Sequence, residues 1–173
     1  KNPTVLYRLL TNIICEKGGR YGKDVYEPGI RSADLRELLH ETAAAMTVFG
    51  RDSIPYDELD IRLSQMNENL IERVQSATKD HPVTSLMINF FFKGGRTELG
   101  AEFLHKSFRE FLFAEAILEA LKEYGRKAEN NLQERPDGLY WRDFELADTR
   151  YSLSRRLGAL LAPQWLTNEV ILF

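Results

Sequence analysis

The chain has 173 residues, of which 43% are hydrophobic and 28% charged, ordinary globular material with enough apolar residues for a core. Twenty-three Lys and Arg against 26 Asp and Glu leave a net charge of −3, which argues against a broad nucleic-acid-binding face. Cys15 is the single cysteine, which excludes an internal disulfide framework and a Cys-based zinc site, and no apolar run reaches the roughly 18 residues that a membrane helix needs.

The first predicted element is a helix from Asn2 to Lys17. Val5, Leu6, Leu9, Leu10, Ile13 and Ile14 recur at helical spacing, and Pro3 suits a helix start. Gly18-Gly19 stops it, and a loop runs to about Arg31. Ser32 or Asp34 reads as the N-cap of a second helix, with Leu35, Leu38, Leu39, Ala43, Met46 and Phe49 on one face and Gly50 at its end. Ile54-Pro55-Tyr56 reads as a short connector. A third helix covers Asp57 to Met66, carrying Leu59 and Leu63. A fourth opens at Asn67 or Asn69, with Leu70, Ile71, Val74 and Ala77.

At His81-Pro82 the pattern breaks. Ser85 to Phe92 is short, apolar and β-prone, which predicts a strand, with Lys93-Gly94-Gly95-Arg96 as a turn and Leu99 to Leu104 as the returning strand. A long helix follows from Lys106 to Tyr124, capped near His105-Lys106-Ser107. The stretch Gly125 to Gly138 is polar and marks a boundary. The tail from Leu139 turns helical again, with Leu153, Leu157, Leu160 and Leu161 on one face. The fold class is therefore mainly α, with a small β-hairpin. Helices followed by a two-stranded wing form the pattern of a winged-helix domain. The chain divides into 1–30, the end of a helical domain; 31–124, the winged helix; and 125–173, the start of a second helical domain. An apolar helix pattern at the start and Val170-Ile171-Leu172-Phe173 at the close suggest a piece of a longer protein. The opening Lys1-Asn2-Pro3-Thr4 carries no signal peptide, so a cytoplasmic location is expected.

Several chemical readings fail on their residues. Gly18 to Asp24 invites a phosphate-loop reading, but three residues rather than four separate Gly18 from Gly22, and Asp24 stands where a Ser or Thr would hold magnesium. The candidate recognition helix, Asn67 to Asp80, carries one net negative charge, which disfavours DNA. His40, His81 and His105 are too far apart in sequence for a helical zinc pair, and Ser107 has no nucleophile elbow around it. Glu102 and Glu110 read as solvated positions, and Cys15 as inert packing. The most specific segment runs from Gly100 to Glu115. It joins an apolar strand, a histidine at the strand-to-helix junction and a Phe-rich helix. An imidazole at a helix N-terminus is well placed to bond an anion, and a junction histidine with a purely local bond is the plainer alternative.

Phe103-x-His105-x-Ser107-Phe108-Arg109-Glu110-Phe111-Leu112-Phe113-Ala114 resembles the winged-helix motif of the NACHT family of STAND nucleotide-binding switches, which reads Phe-x-His-x-Ser-Phe-Gln-Glu-Phe-Leu-Ala-Ala. That family includes the NOD-like receptors and many bacterial antiphage proteins. Arg109 replaces the usual Gln, and Phe113 and Glu115 dilute the small pair. Asn2-Pro3-Thr4-Val5-Leu6 is similar to the family's Asn-Pro-Leu-Leu-Leu, with Thr4 in place of a Leu, while the loop from Gly18 to Gly29 departs from the family's short connector. The likeness spans about Asn2 to Ala120.

The resemblance implies that Pro3 packs near the adenine of a bound nucleotide and that His105 contacts the β-phosphate of ADP in a closed, resting state. It implies ATP/ADP as cofactor, with Mg2+ held by an upstream NTPase domain in cis, since the Walker segments are absent from these residues. It further implies a homo-oligomer on activation, a sensed ligand of unknown kind, and a role in immune or antiphage defence. Two other readings stay open on the residues: a non-enzymatic helical adaptor that binds a protein partner, and a winged-helix DNA-binding regulator.

Overall fold

The computed structural model describes residues 3–17, 31–48, 50–66, 68–77, 101–103, 105–134, 153–161 and 170. In chain order they form α1 (Pro3–Lys17), α2 (Ser32–Val48), β1 (Ser53–Ile54), α3 (Tyr56–Met66), α4 (Glu68–Ala77), β2 (Ala101–Glu102), α5 (Lys106–Glu134) and α6 (Leu153–Leu161). The mainly-α expectation holds. The predicted strand from Ser85 to Phe92, the turn at Lys93 to Arg96 and the glycine loop after Lys17 lie outside the described residues.

α2 is the central helix. It packs most extensively on α5 and also meets α1, α3, α4 and α6. Its predicted face is buried, as Leu35, Leu38, Leu39, Ala43 and Met46 show, but burial goes almost all the way round from Leu38 to Met46. Ala43-Ala44-Ala45 lets neighbouring elements approach its backbone closely, so no side of this stretch is left for solvent. The polar residues caught in that ring are satisfied internally, as buried polar groups must be. Thr42 Oγ1, for instance, donates to the Leu38 carbonyl at 2.8 Å.

The predicted caps need one correction. The Leu35 amide donates to the Arg31 carbonyl at 3.1 Å, so Arg31 rather than Ser32 or Asp34 holds the N-cap position. Asp34 sits in the first turn, where its charge complements the helix dipole, and Arg31 Nε bonds its carboxylate at 2.7 Å. At the other end Gly50 terminates α2 as predicted. Its φ of 62° is left-handed, its amide bonds the Thr47 carbonyl at 3.0 Å, and the Arg51 amide bonds the Met46 carbonyl at 3.1 Å.

That turn aims the chain into β1, so Ile54-Pro55-Tyr56 is not the connector its sequence suggests. Ser53 pairs with Glu102 and Ile54 with Ala101 in an antiparallel ladder, and Ile54 is fully buried. Pro55 has no amide hydrogen to continue the ladder, and α3 starts directly after it. Of the predicted returning strand, Leu99 to Leu104, the described residues Ala101 and Glu102 form β2.

α3 and α4 bury the predicted Leu59, Leu63, Leu70, Ile71 and Val74. α5 begins as predicted but continues ten residues past Tyr124, to Glu134. Gly125 does not stop it: its position is open, and Arg126, Lys127, Ala128 and Glu129 beyond it are good helix formers that outweigh a cost of about 1 kcal/mol. α6 packs on α5 and α2, with Leu160 fully buried and Leu157 and Leu161 half-buried.

α1 reverses the sequence expectation. Its apolar residues Val5, Leu6, Leu9 and Leu10 are exposed, while Thr11 and Cys15 are buried and Tyr7 is half-buried against the core. The helix turns its mixed face inward because that face completes a polar network.

Candidate functional site

The segment that the sequence singles out lies where β2 hands over to α5. Phe103, Phe108, Phe111, Leu112 and Phe113 are buried and hold the junction in place. Phe103 and Phe108 meet edge-on at 6.2 Å between ring centres, and Phe108 and Phe111 stack at 6.4 Å. The His105 carbonyl accepts from the Phe108 amide at 3.1 Å and the Arg109 amide at 3.4 Å, so His105 is the N-cap of α5, as predicted. Its side chain is exposed, as is that of Lys106, and Ser107 is half-buried. The junction thus presents the His105 and Lys106 side chains to solvent at the start of a 29-residue helix.

One motif residue differs from its sequence reading. Glu110 is not solvated; it is buried, with Lys106 Nζ at 3.6 Å from its Oε1. Arg109, the departure from the family's Gln, is buried and anchors the β1 approach. Its Nη1 donates to the Arg51 carbonyl at 2.8 Å and lies 2.9 Å from Asp52 Oδ1.

Pro3 opens α1 and is exposed. It and His105 are joined one turn in. Tyr7, about 6 Å along α1 from Pro3, packs on Phe108, about 4.5 Å along α5 from His105. The ring centres are 5.8 Å apart, and Tyr7 also meets Phe111 at 5.7 Å.

A second polar centre, missed in the sequence, lies deeper. His40 Nε2 is 2.9 Å from Glu115 Oε2, and both side chains are buried. Arg36 Nη1 reaches Glu115 Oε1 at 3.4 Å, Arg8 Nε lies 4.0 Å from the same oxygen, and Arg36 also bonds Asn12 Oδ1. Burial works to raise the Glu115 pKa, but His40, Arg36 and Arg8 outweigh it and hold the carboxyl below its ordinary range. An ionised carboxylate only accepts, so His40 Nε2 carries the proton between them. Burial pushes the Cys15 thiol up to about 11 despite the nearby Arg36 guanidinium, which makes it an unreactive packing residue. Glu115 had no readable signal, because in sequence it only interrupts a small-residue pair.

Beside this centre is a pocket of about 220 Å³ between α1 and α5, lined by Arg8, Phe111, Ala114, Glu115 and Leu118 among others. Pockets for small molecules start at about 300 Å³ and gather several polar groups. This one is smaller and mostly apolar, and Glu115 lies about 15 Å along α5 from His105, so it is not the predicted nucleotide site.

Among the described residues no three His, Cys, Asp or Glu side chains are grouped to hold a metal ion, and no helix is long and apolar enough to cross a membrane. Arg73, the one cation within α4, lies 2.9 Å from Asp34 and 2.8 Å from Glu37, so it is engaged inside the protein rather than presented to phosphate. No family model, curated protein or solved structure matches this chain.

Proposed function

We propose that this chain is the regulatory helical and winged-helix part of a NACHT-type nucleotide-dependent switch, with His105 as its contact to the phosphate of ADP in the resting state. The observation that carries the reading is the division within the motif. Its apolar members Phe103, Phe108, Phe111 and Leu112 are buried, while His105 is exposed at the N-cap of α5. A helix start with an exposed histidine at its N-cap, at the positive end of the dipole, favours an anion. The winged-helix assignment for 31–124 belongs to the same reading, supported by β1, between α2 and α3, pairing with β2 after α4.

In this reading an upstream domain in cis binds the nucleotide and Mg2+, and the described residues supply one contact to it. Pro3 stands near the adenine, tied to the His105 junction by the Tyr7–Phe108 contact. Loss of the His105 contact on exchange to ATP shifts the equilibrium toward an oligomeric state, because a ligand moves a two-state balance only through contacts that differ between the states. A defence role and a cytoplasmic location belong to the same reading.

Native mass spectrometry of the protein purified from its own source tests this. A mass well above 20.0 kDa with bound ADP, and loss of that ADP in the His105→Ala variant, is the expected result. A bare chain of 20.0 kDa, or ADP retention that His105→Ala leaves unchanged, sinks it. The adaptor reading is then preferred, and the exposed apolar face of α1 favours it.

A further inference from the structure

His105 is placed by its backbone, and the ladder that delivers the chain to it is short. β1 and β2 share two residue pairs, and a two-stranded ladder has little stability of its own. Phe103 and Phe108 are buried on either side of His105. Apolar burial is non-directional, so it holds this stretch down without fixing the angle at which β2 enters α5.

Arg109 supplies a directional tie. Its amide reaches the His105 carbonyl at 3.4 Å, so its backbone belongs to the first turn of α5. Its guanidinium reaches the chain just ahead of the opposite strand: Nη1 donates to the Arg51 carbonyl at 2.8 Å and lies 2.9 Å from Asp52 Oδ1. Arg51 and Asp52 lead directly into β1 at Ser53. The Arg51 amide in turn bonds the Met46 carbonyl in the last turn of α2. One side chain thus closes a ring that runs from His105 along α5 to Arg109, across to Arg51, through β1, over the ladder to β2 and back to His105.

The guanidinium is set inward, away from any ligand at the junction. The Arg109 side chain is 10% exposed, whereas that of Asp52 is 83% exposed. With its carboxylate in water the ion pair adds little. The bond to the Arg51 carbonyl is the tie that fixes geometry, because a charged donor makes a stronger bond than a neutral one.

We propose that Arg109 is the positioning residue for His105: its bond to the Arg51 carbonyl sets the junction of β1, β2 and α5, and so holds the imidazole where the phosphate of ADP meets it. The assignment rests on the switch reading above and adds to it a residue that touches no ligand.

Arg109→Met tests it, in the 173-residue chain and in the nucleotide-bound protein. Met fills the space of the stem without a donor, and Asp52 stays in water, so no buried carboxylate is stranded and the helical circular dichroism is kept. In the 173-residue chain, amide exchange in β1 and β2 speeds up about 10-fold while exchange in α3 is unchanged. In the nucleotide-bound protein, His105→Ala weakens ADP retention about 10-fold or more, the value of a hydrogen bond to a charged group. Arg109→Met weakens it about 3-fold to 10-fold, part of the value of that bond. The double variant loses no more than His105→Ala alone, since Arg109 acts only through the ring. Arg109→Lys, which keeps a charged donor for the carbonyl, retains ADP within about 3-fold of the native protein. Unchanged ladder exchange, ADP kept by Arg109→Met but lost by His105→Ala, losses that add in the double variant, or a Lys variant as weak as the Met variant each overturn the proposal. ADP kept by His105→Ala is a different failure: it sinks the switch reading, and the role of Arg109 goes with it.

Discussion

His40 Nε2 and Glu115 Oε2 meet at 2.9 Å between α2 and α5, two buried side chains 75 residues apart in sequence. The pair lies on the most extensive helix contact of the fold. Removing either partner leaves the other with an unmet hydrogen-bonding group, at a cost of about 1–3 kcal/mol. Because the two share one bond, a double-mutant cycle with His40→Ala and Glu115→Ala returns a coupling of about 0.5–3 kcal/mol. Urea denaturation of the four proteins measures it. Additive losses would mean that the bond contributes nothing of its own.

Acid reads the same centre. The Glu115 pKa is held below its reference value of 4.5 in the folded chain: burial opposes this, and His40, Arg36 and Arg8 bring it about. Asp34 is likewise held below 3.8, first by its hydrogen bond from Arg31 and then by Arg73, against burial. A depressed folded pKa contributes stability above the unfolded value and loses it as pH falls through the folded one. The urea midpoint therefore drops as pH falls below about 4.5. Glu115→Gln starts lower at neutral pH and falls less, so the two curves converge in acid. Curves that stay parallel down to the acid limit would show that Glu115 titrates alike in both states.

Much of the fold was legible because periodicity reports burial where burial is apolar. Leu35, Leu38, Leu59, Leu63, Leu70 and Leu160 are all buried on the faces the repeat marks. The same rule failed on α1, whose apolar repeat marks the face turned to solvent, because Arg8, Asn12 and Cys15 join a network that only tertiary packing assembles. Ser53-Ile54 was unreadable as a strand: two residues carry no alternation, and their partners, Glu102 and Ala101, are far along the chain. At the site, His105 could be read from its place between strand and helix. His40, Arg36 and Glu115 could not, since nothing in sequence spacing links positions on different helices.

Glu41, one residue along α2 from His40, is a further buried carboxylate, and its ion pair with Arg156 holds α6 to the core. Arg156 Nη1 lies 2.9 Å from Glu41 Oε2, and its Nη2 bonds Oε1. The Glu41 side chain is 1% exposed and that of Arg156 21%, so the two are not equivalent. Arg156→Ala strands a carboxylate in the core and costs about 3–5 kcal/mol. Glu41→Ala leaves a guanidinium that can turn to water, so it costs less. Replacing both with apolar residues recovers most of the loss. Chemical denaturation of the three variants decides this, and equal losses for the two single variants would contradict the asymmetry.

His105 and Phe108 lie one helical turn apart but have different roles. Phe108 is 3% exposed and touches Tyr7, Phe103 and Phe111, so Phe108→Ala opens a cavity and costs about 3–5 kcal/mol. His105 gives the fold its carbonyl, which any residue supplies, and its exposed ring bears on the proposed ligand instead. His105→Ala therefore leaves the urea midpoint of the chain unchanged while weakening ADP retention in the nucleotide-bound protein. Measuring both properties on one variant separates a folding role from a binding role. A midpoint that falls with His105→Ala as far as with Phe108→Ala would make the histidine part of the core and remove its assignment as a phosphate contact.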